Sequence, residues 1–361
     1  MLFKKTSTVD KIIAQLSDAD NDALLKKLQQ DKRISFDEKS VTLTVNLPFY
    51  APSWLAQLQQ KNSDKITALL AQPLNWVINY DIVALQSAGS KTALANIKNI
   101  IVVASGKGGV GKSTVSVNLA LALSKNGAKV GMLDADIYGP SLPTLLGVKD
   151  AQPSTADGKL MLPIEAHGIV CNSIGFLVAE ADAMIWRGPM ASKALQQVLN
   201  ETAWPALDYL VVDMPPGTGD IQLTMSQHVP ISSAVIVTTP QDVALIDAKK
   251  GVTMFNKVDT HISGIIENMS LFTCSACGHS EAIFGTGGGE QLAAQFSLPF
   301  LGKLPLHINY RQDSDQGVPT VSKCEQNTLV EPYLALAETL AINLYKDLQP
   351  ASQQINITEL K

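Results

Sequence analysis

Residues 106 to 114 read GKGGVGKST, directly after the apolar run IIVVAS and before a helical pattern carrying Val115, Leu119 and Ala122. Two motifs overlap here. Gly106, Gly108 and Gly111 satisfy G-x-G-x-x-G, and Asp134 at the end of the next strand stands where a dinucleotide fold places its ribose-binding acid. The pair Lys112-Ser113 decides between them: a lysine for the β- and γ-phosphates and a hydroxyl for Mg2+ complete G-x-x-x-x-G-K-[ST], and a dinucleotide loop needs neither. The expected ligand is therefore ATP or GTP. Backbone N–H groups along Gly106, Lys107, Gly108, Gly109, Val110, Gly111, Lys112, Ser113 and Thr114 would point at the phosphates, aided by the positive end of the following helix.

Such a loop requires a second metal-binding acid. Asp213 closes the run DYLVVD, the place for a carboxylate at the end of a buried strand beside the loop, and PPGTGD after it reads as a switch sensing the γ-phosphate. Asp134 and Asp136 in LDADIYGPS add two carboxylates. Asp136 is the better placed to orient or deprotonate an attacking water. A different chemistry is written at Cys274-Ser275-Ala276-Cys277-Gly278-His279, where two thiols three positions apart can reach one metal ion. Two ligands do not complete a zinc or iron-sulfur site. Either His279 and Cys324 complete it within one subunit, or a two-fold axis supplies a second pair, while a dithiol switch and a structural zinc knuckle remain rivals. Cys171, in the apolar stretch GIVCNSIGF, reads as a core residue.

These groups need a scaffold. The chain has 361 residues, about two domains' worth at about 150 residues each. With 46% apolar and 17% charged residues it is globular, and its four cysteines are too few for a disulfide framework. From Asn99 the apolar runs IIVVAS, KVGMLD, DYLVVD, SAVIVTT and ISGIIEN alternate with helical segments, the pattern of a doubly wound α/β fold with a mostly parallel sheet. Residues 1–85 differ. Val9, Ile12, Ile13 and Leu16 fall at helical spacing, Val41 to Leu47 alternates like a half-buried strand, a helix carries Trp54 to Leu70, and strand-like residues run from Trp76 to Val83. This predicts a small N-terminal α+β domain, a linker over 86–98, an ATPase domain over 99–348 and a loose tail over 349–361.

Lys107, behind the first loop glycine, resembles the signature lysine of the deviant Walker-A ATPases, which include the MinD and ParA proteins, arsenite-pump ATPases and the nitrogenase iron protein. Together with DADIYGPS, WRGPM (186–190), DMPPGTGD, ENMS (267–270) and CSACGH, the chain is similar to the Mrp/ApbC iron-sulfur cluster carriers over about residues 97 to 325. That resemblance implies a P-loop NTPase acting as a homodimer, in which Lys107 reaches the partner's nucleotide. It implies that Asn268 reads the adenine edge, that Ser113 and Asp213 hold Mg2+, and that Lys112 and Asp136 serve hydrolysis. It further implies a labile [4Fe-4S] cluster on Cys274 and Cys277 of two subunits, received from a cluster-assembly donor and passed to apo iron-sulfur proteins. Arg187 is a weaker site candidate. The N-terminal domain resembles a small domain fused to these carriers, but NLPFYAPSWL (46–55) lacks the cysteine found there.

Rival functions fare worse. A nucleic-acid partner needs a basic surface, whereas 28 Lys and Arg stand against 33 Asp and Glu, a net charge of -5. A membrane organiser needs a basic amphipathic terminal helix, and EPYLALAETLAINLYKDLQ sets Lys346 against Glu331, Glu338 and Asp347. An electron-transferring reductase shares most motifs and is the nearer rival. The start MLFKKTSTVDKIIAQL carries no secretory h-region, so the expected location is the cytoplasm.

Overall fold

The computed structural model describes residues 7–86, 94, 96–155, 158–177, 188–219, 222, 223, 225, 226, 229–323 and 328–350. Trp186, Arg187 and Cys324 lie outside the described residues.

The N-terminal unit comprises α1 (Thr8–Leu16), α2 (Asp22–Gln30), β1 (Ile34–Asp37), β2 (Thr42–Leu47), α3 (Pro52–Leu70) and β3 (Asn75–Tyr80). Ser7 starts α1 as a reciprocal cap: its hydroxyl accepts the Asp10 N–H while the Asp10 carboxylate accepts that of Ser7. In β2 the alternation sends Leu43, Val45 and Leu47 inward and leaves Thr42, Thr44 and Asn46 half-buried. β2 pairs antiparallel with β1 and, after the α3 crossover, parallel with β3. Neither α2 nor β1 was foreseen from sequence, and β3 ends at Tyr80 rather than Val83.

The larger unit opens with β4 (Leu85–Gln86) and β5 (Ile97–Ala104), followed by α4 (Lys112–Lys125), β6 (Val130–Asp134), α5 (Leu142–Leu145), β7 (Ile164–Ala166), β8 (Ile169–Ser173), α6 (Gly188–Asn200) and β9 (Leu207–Asp213). Then come β10 (Ser233–Thr238), α7 (Asp242–Lys257), β11 (Ile262–Glu267), β12 (Phe272–Thr273), β13 (Ser280–Glu281), α8 (Gly288–Phe296), β14 (Phe300–Lys303), α9 (Ile308–Asp315), α10 (Glu331–Asp347) and β15 (Gln349–Pro350). The main sheet runs β14-β11-β10-β5-β9-β6-β8-β7, with every pair parallel except β7 with β8. Strand residues alternate between two cores. Ile101, Val103, Val211 and Val235 face α4 and α10, whereas Ile100, Val102, Val212 and Ile236 face α6, α7 and α8. That double burial explains why these strands read as unbroken apolar runs.

The two units share one core. The cluster under α4 and α10 continues into Leu16, Leu28, Leu47 and Phe49. Polar contacts cross the same boundary in both directions. Both Glu338 oxygens on α10 accept backbone N–H groups at the start of α3, from Ser53 and Trp54, each at 2.9 Å. In return, the Lys27 ammonium of α2 donates to the carbonyls of Tyr345 and Leu348 at the end of α10, at 2.5 and 2.6 Å. Each helix end is thus satisfied by the other unit, which helix termini require when buried. The expected loose tail also begins differently: Gln349 and Pro350 pair antiparallel with Gln86 and Leu85, because Lys27 and the α10 terminus bring them alongside β4.

Glu338→Ala is therefore expected to lower the unfolding free energy by about 1–2 kcal/mol, since two part-buried N–H groups at the start of α3 lose their capping acceptor. Urea denaturation tests this; an unchanged midpoint would show the capping contact to be inconsequential.

Candidate functional site

The phosphate loop leaves the central strand β5 and enters α4, and two of its glycines are dictated by neighbours. A Cβ on Gly106 would lie 2.1 Å from the Asp247 backbone carbon of α7. At Gly111, φ is 81°, a conformation that side chains disfavour, and a Cβ would meet the Asn268 amide nitrogen at 2.4 Å. The Ser105 hydroxyl donates to the Lys107 carbonyl at 2.9 Å, fixing the first bend. Among the described residues, no protein acceptor reaches the backbone N–H groups of Gly108, Gly109, Val110 and Gly111. Four unpaired donors ahead of a 14-residue helix suit an anion such as a phosphate chain.

Strand register brings the acids to this loop. Asp213 pairs with Val103 on one side and with Asp134 on the other, so both carboxylates stand at the carboxyl edge of adjacent strands. Lys112, 6% exposed, ion-pairs with Asp213, 1% exposed, at 2.7 Å. The Ser116 hydroxyl donates to the same Asp213 oxygen at 2.6 Å, and Ser113 Oγ lies 3.2 Å from the Lys112 ammonium. Ser113 and Asp213 are hard oxygen donors of the kind Mg2+ takes, and they fit it.

Asp134 is fully buried and accepts four hydrogen bonds: from the backbone N–H groups of Asp136, Ser141 and Leu142, and from the Ser173 hydroxyl. Burial and then the charge of Asp213 push its carboxyl up to about 7, against the pull of the Leu142 and Asp136 N–H groups. Its structural work is to hold the 135–141 segment, and with it Asp136, over the site. Asp136 is pushed up to about 6, by burial first; the Lys112 charge opposes the shift and that of Asp213 adds to it.

Asn268 follows β11. Its side-chain amide donates to the Val110 carbonyl at 2.8 Å, so in this structure it grips the loop itself. Lys107 is half-buried at the loop's outer bend.

The cysteines stand apart from this cluster but on the same edge of the sheet. They occupy the turn of the β12–β13 hairpin, where the Cys274 N–H donates to the His279 carbonyl and Gly278, with φ 71°, donates back to Cys274, each at 2.9 Å. Cys277 is exposed and Cys274 half-buried. The backbone N–H of Cys277, then that of Ala276, hold the Cys274 thiol below its ordinary value, which favours the metal-binding thiolate. Among the described residues no three His, Cys, Asp or Glu side chains assemble into a metal-ligating group, at the cysteine pair or elsewhere. Cys171 is fully buried on β8, its thiol pushed up to about 12 by burial and then by Asp134.

Two contributors escaped sequence reasoning. Ser116 reaches Asp213 across 97 positions, and Ser173 reaches Asp134 across 39. Only strand order makes them neighbours, so no local signal marks them.

A phosphate loop on the central strand of a doubly wound sheet, with its lysine paired to the acid of the next strand, defines a P-loop NTPase. The sequence profile described as ParA: NUBPL iron-transfer P-loop NTPase matches residues 96–341. An iron-sulfur cluster carrier protein from Haemophilus influenzae is 51% identical over 331 residues, covering 91% of this chain and 90% of its own. A nucleotide-binding protein from Archaeoglobus fulgidus, solved with ADP, is 38% identical with TM-score 0.56, over 64% of this chain and 90% of its own. The septum site-determining protein MinD of Pyrococcus horikoshii, solved with Mg-ADP, shares the fold at TM-score 0.51 and 23% identity, over 66% and 94%. The chain belongs to the NUBPL iron-transfer P-loop NTPase family.

Lys112→Ala is expected to weaken Mg-ADP binding at least about tenfold by removing a charged phosphate partner. It should also lower stability by about 3 kcal/mol, because Asp213 stays buried without its counter-charge. Calorimetric titration and denaturation measure the two effects; full affinity in the variant would remove Lys112 from the site.

Proposed function

We propose that this chain is an ATP-hydrolysing carrier whose cargo is a [4Fe-4S] cluster, held between the cysteine hairpins of two copies and delivered to apo iron-sulfur proteins. The observation that carries this reading is the Cys274–Cys277 pair on an exposed hairpin, at the same sheet edge as the phosphate loop, with no third ligand beside it among the described residues. Two thiols per chain make four on a two-fold axis, the number such a cluster takes. Exposed apolar side chains support a second copy at this edge: Leu271 and Ile283 flank the hairpin, and Val243 and Ile246 stand on α7 beside Gly106. The names of the relatives support an iron-sulfur cargo.

In the nucleotide site, Gly106, Lys107, Gly108, Gly109, Val110, Gly111 and Thr114 contribute the loop, Lys112 neutralises phosphate charge, and Asn268 turns to the adenine edge. Ser113 and Asp213 would hold Mg2+, which supplies charge neutralisation at the phosphates. Asp136 accepts a proton from the attacking water, and Lys107 completes the site of the partner copy. A cluster-assembly donor loads the hairpin. Among the described residues no helix is long and apolar enough to cross a membrane, and we place the carrier in the cytoplasm, with no nucleic-acid partner.

Cys274→Ala and Cys277→Ala are each expected to lose the reconstituted cluster, whereas Cys171→Ala and Cys324→Ala keep it. Iron and sulfide counts combined with solution mass test this: one cluster per dimer is the expected ratio, and a full cluster on a monomer would overturn the bridged site. Hydrolysis carries its own signature. Asp136 works as a base only when ionised, so kcat should rise with pH through about 6 and then level off. Asp136→Asn should abolish hydrolysis, and an unchanged rate in that variant would assign the proton elsewhere.

A further inference from the structure

Four consecutive residues after β11's core, Glu267 to Ser270, touch both halves of the molecule's chemistry. Asn268 holds the phosphate loop at Val110, and its backbone N–H is fixed by the Thr238 carbonyl at 2.8 Å. Glu267 is fully buried, and one of its oxygens accepts the Gly289 N–H at 2.7 Å. The other oxygen has no hydrogen-bond partner among the described residues. Gly289 lies in the first turn of α8, the helix to which the cysteine hairpin returns. A Cβ there would press to 3.0 Å from Glu267 Cβ. The outgoing arm of the hairpin is pinned next door: Ser270 donates its N–H and its hydroxyl to the Leu304 carbonyl, both at 3.0 Å, and Leu306 donates to Leu271.

Two features mark this junction as poised rather than relaxed. Met269 sits at φ 57°, a left-handed conformation uncommon for a long side chain and concentrated at functional sites. A buried carboxylate oxygen without a donor is costly, and native structures rarely keep one without a role. The Asn268 amide, moreover, is only partly committed to the loop. One N–H is spent on the Val110 carbonyl while the second N–H and the oxygen remain for a nucleotide, so a nucleotide that reorients this side chain also alters its hold on the loop.

We propose that Glu267 and Asn268 act together as a lever that passes the nucleotide state of the phosphate loop to the cysteine hairpin, Asn268 gripping the loop at Val110 and Glu267 gripping the hairpin's return helix at Gly289. The lever rests on the reading above, that nucleotide binds the loop and the hairpin carries the cargo. Glu267 is a positioning residue and touches neither.

The test uses the full chain without cluster. Iodoacetamide alkylation of Cys277 is followed by peptide mass spectrometry with and without saturating Mg-ADP, and Mg-ADP affinity is measured on the same samples. In the unmodified chain Mg-ADP is expected to change the alkylation rate at least about threefold. Glu267→Ala and Gly289→Ala should abolish that change while keeping the Mg-ADP Kd within about threefold, and Glu267→Gln, which retains an oxygen for the Gly289 N–H, should preserve it. Binding without any change in alkylation would overturn the lever alone, as would a full response in Glu267→Ala. Absence of Mg-ADP binding would overturn the nucleotide reading and the lever with it. If both alanine variants fail to fold, hydrogen exchange at the Gly289 amide of the unmodified chain decides: protection that Mg-ADP leaves unaltered overturns the proposal.

Discussion

The Lys112–Asp213 ion pair is the contact around which the rest of the site is arranged. Both side chains are almost withdrawn from water, at 6% and 1% exposure, so each depends on the other for its charge to be tolerated. The pair ties the first turn of α4 to the carboxyl end of β9. Ser116 shares the load on Asp213, which allows the lysine to be drawn towards a competing anion without abandoning the carboxylate. A phosphate chain is such an anion, and the unpaired N–H groups of the loop would receive it at the same place. With a phosphate chain at the loop, the arrangement would become a competition between an internal acid and an external one for a single ammonium.

Around that pair, the parallel sheet acts as an alignment device. Because β5, β9 and β6 are adjacent and parallel, their carboxyl ends deliver the loop, Asp213 and Asp134 to one edge. Asp134 spends its carboxylate on four donors and so becomes a clasp for the segment bearing Asp136, rather than an exposed reagent. β11, two strands away from β5, ends beside the same edge and carries Asn268 back to the loop. The cysteine hairpin grows from the end of β11, which is how one sheet edge comes to hold a phosphate site and a thiol pair.

The N-terminal unit contains no Cys or His, and it is joined to the larger unit by packing and by polar contacts. Phe49 packs against Tyr345, Tyr345 donates to Asp31, and Glu338 and Lys27 satisfy helix ends across the boundary. α10 in turn lies on α4, the helix that begins with Lys112. Packing thus runs unbroken from the first helices through α10 to α4.

The sequence by itself determined the family, the α/β class and the chemistry of the loop, because those depend on local spacing. GKGGVGKST needs only its own order to be read, and unbroken apolar runs betray strands covered on both faces. The position of Asp213 at the end of DYLVVD was legible for the same reason. Tertiary structure alone decided the partners of each acid. Asp134 and Asp213 are neighbours because β9 inserts between β5 and β6, an order that no run of residues encodes, and the Ser116 and Ser173 hydroxyls reach them only through that order. The resemblance offers Asn268 as a candidate, but its grip on the Val110 carbonyl was not legible. Glu267 carried no signal at all, since a strand-end glutamate looks exposed until α8 closes over it. The joint core of the two units was hidden likewise: α10 reads as an ordinary amphipathic helix, and only packing shows that one of its faces belongs to the N-terminal unit. Local spacing specifies chemistry, whereas burial and pairing are properties of segments far apart in the chain, and they exist only once the sheet has ordered its strands.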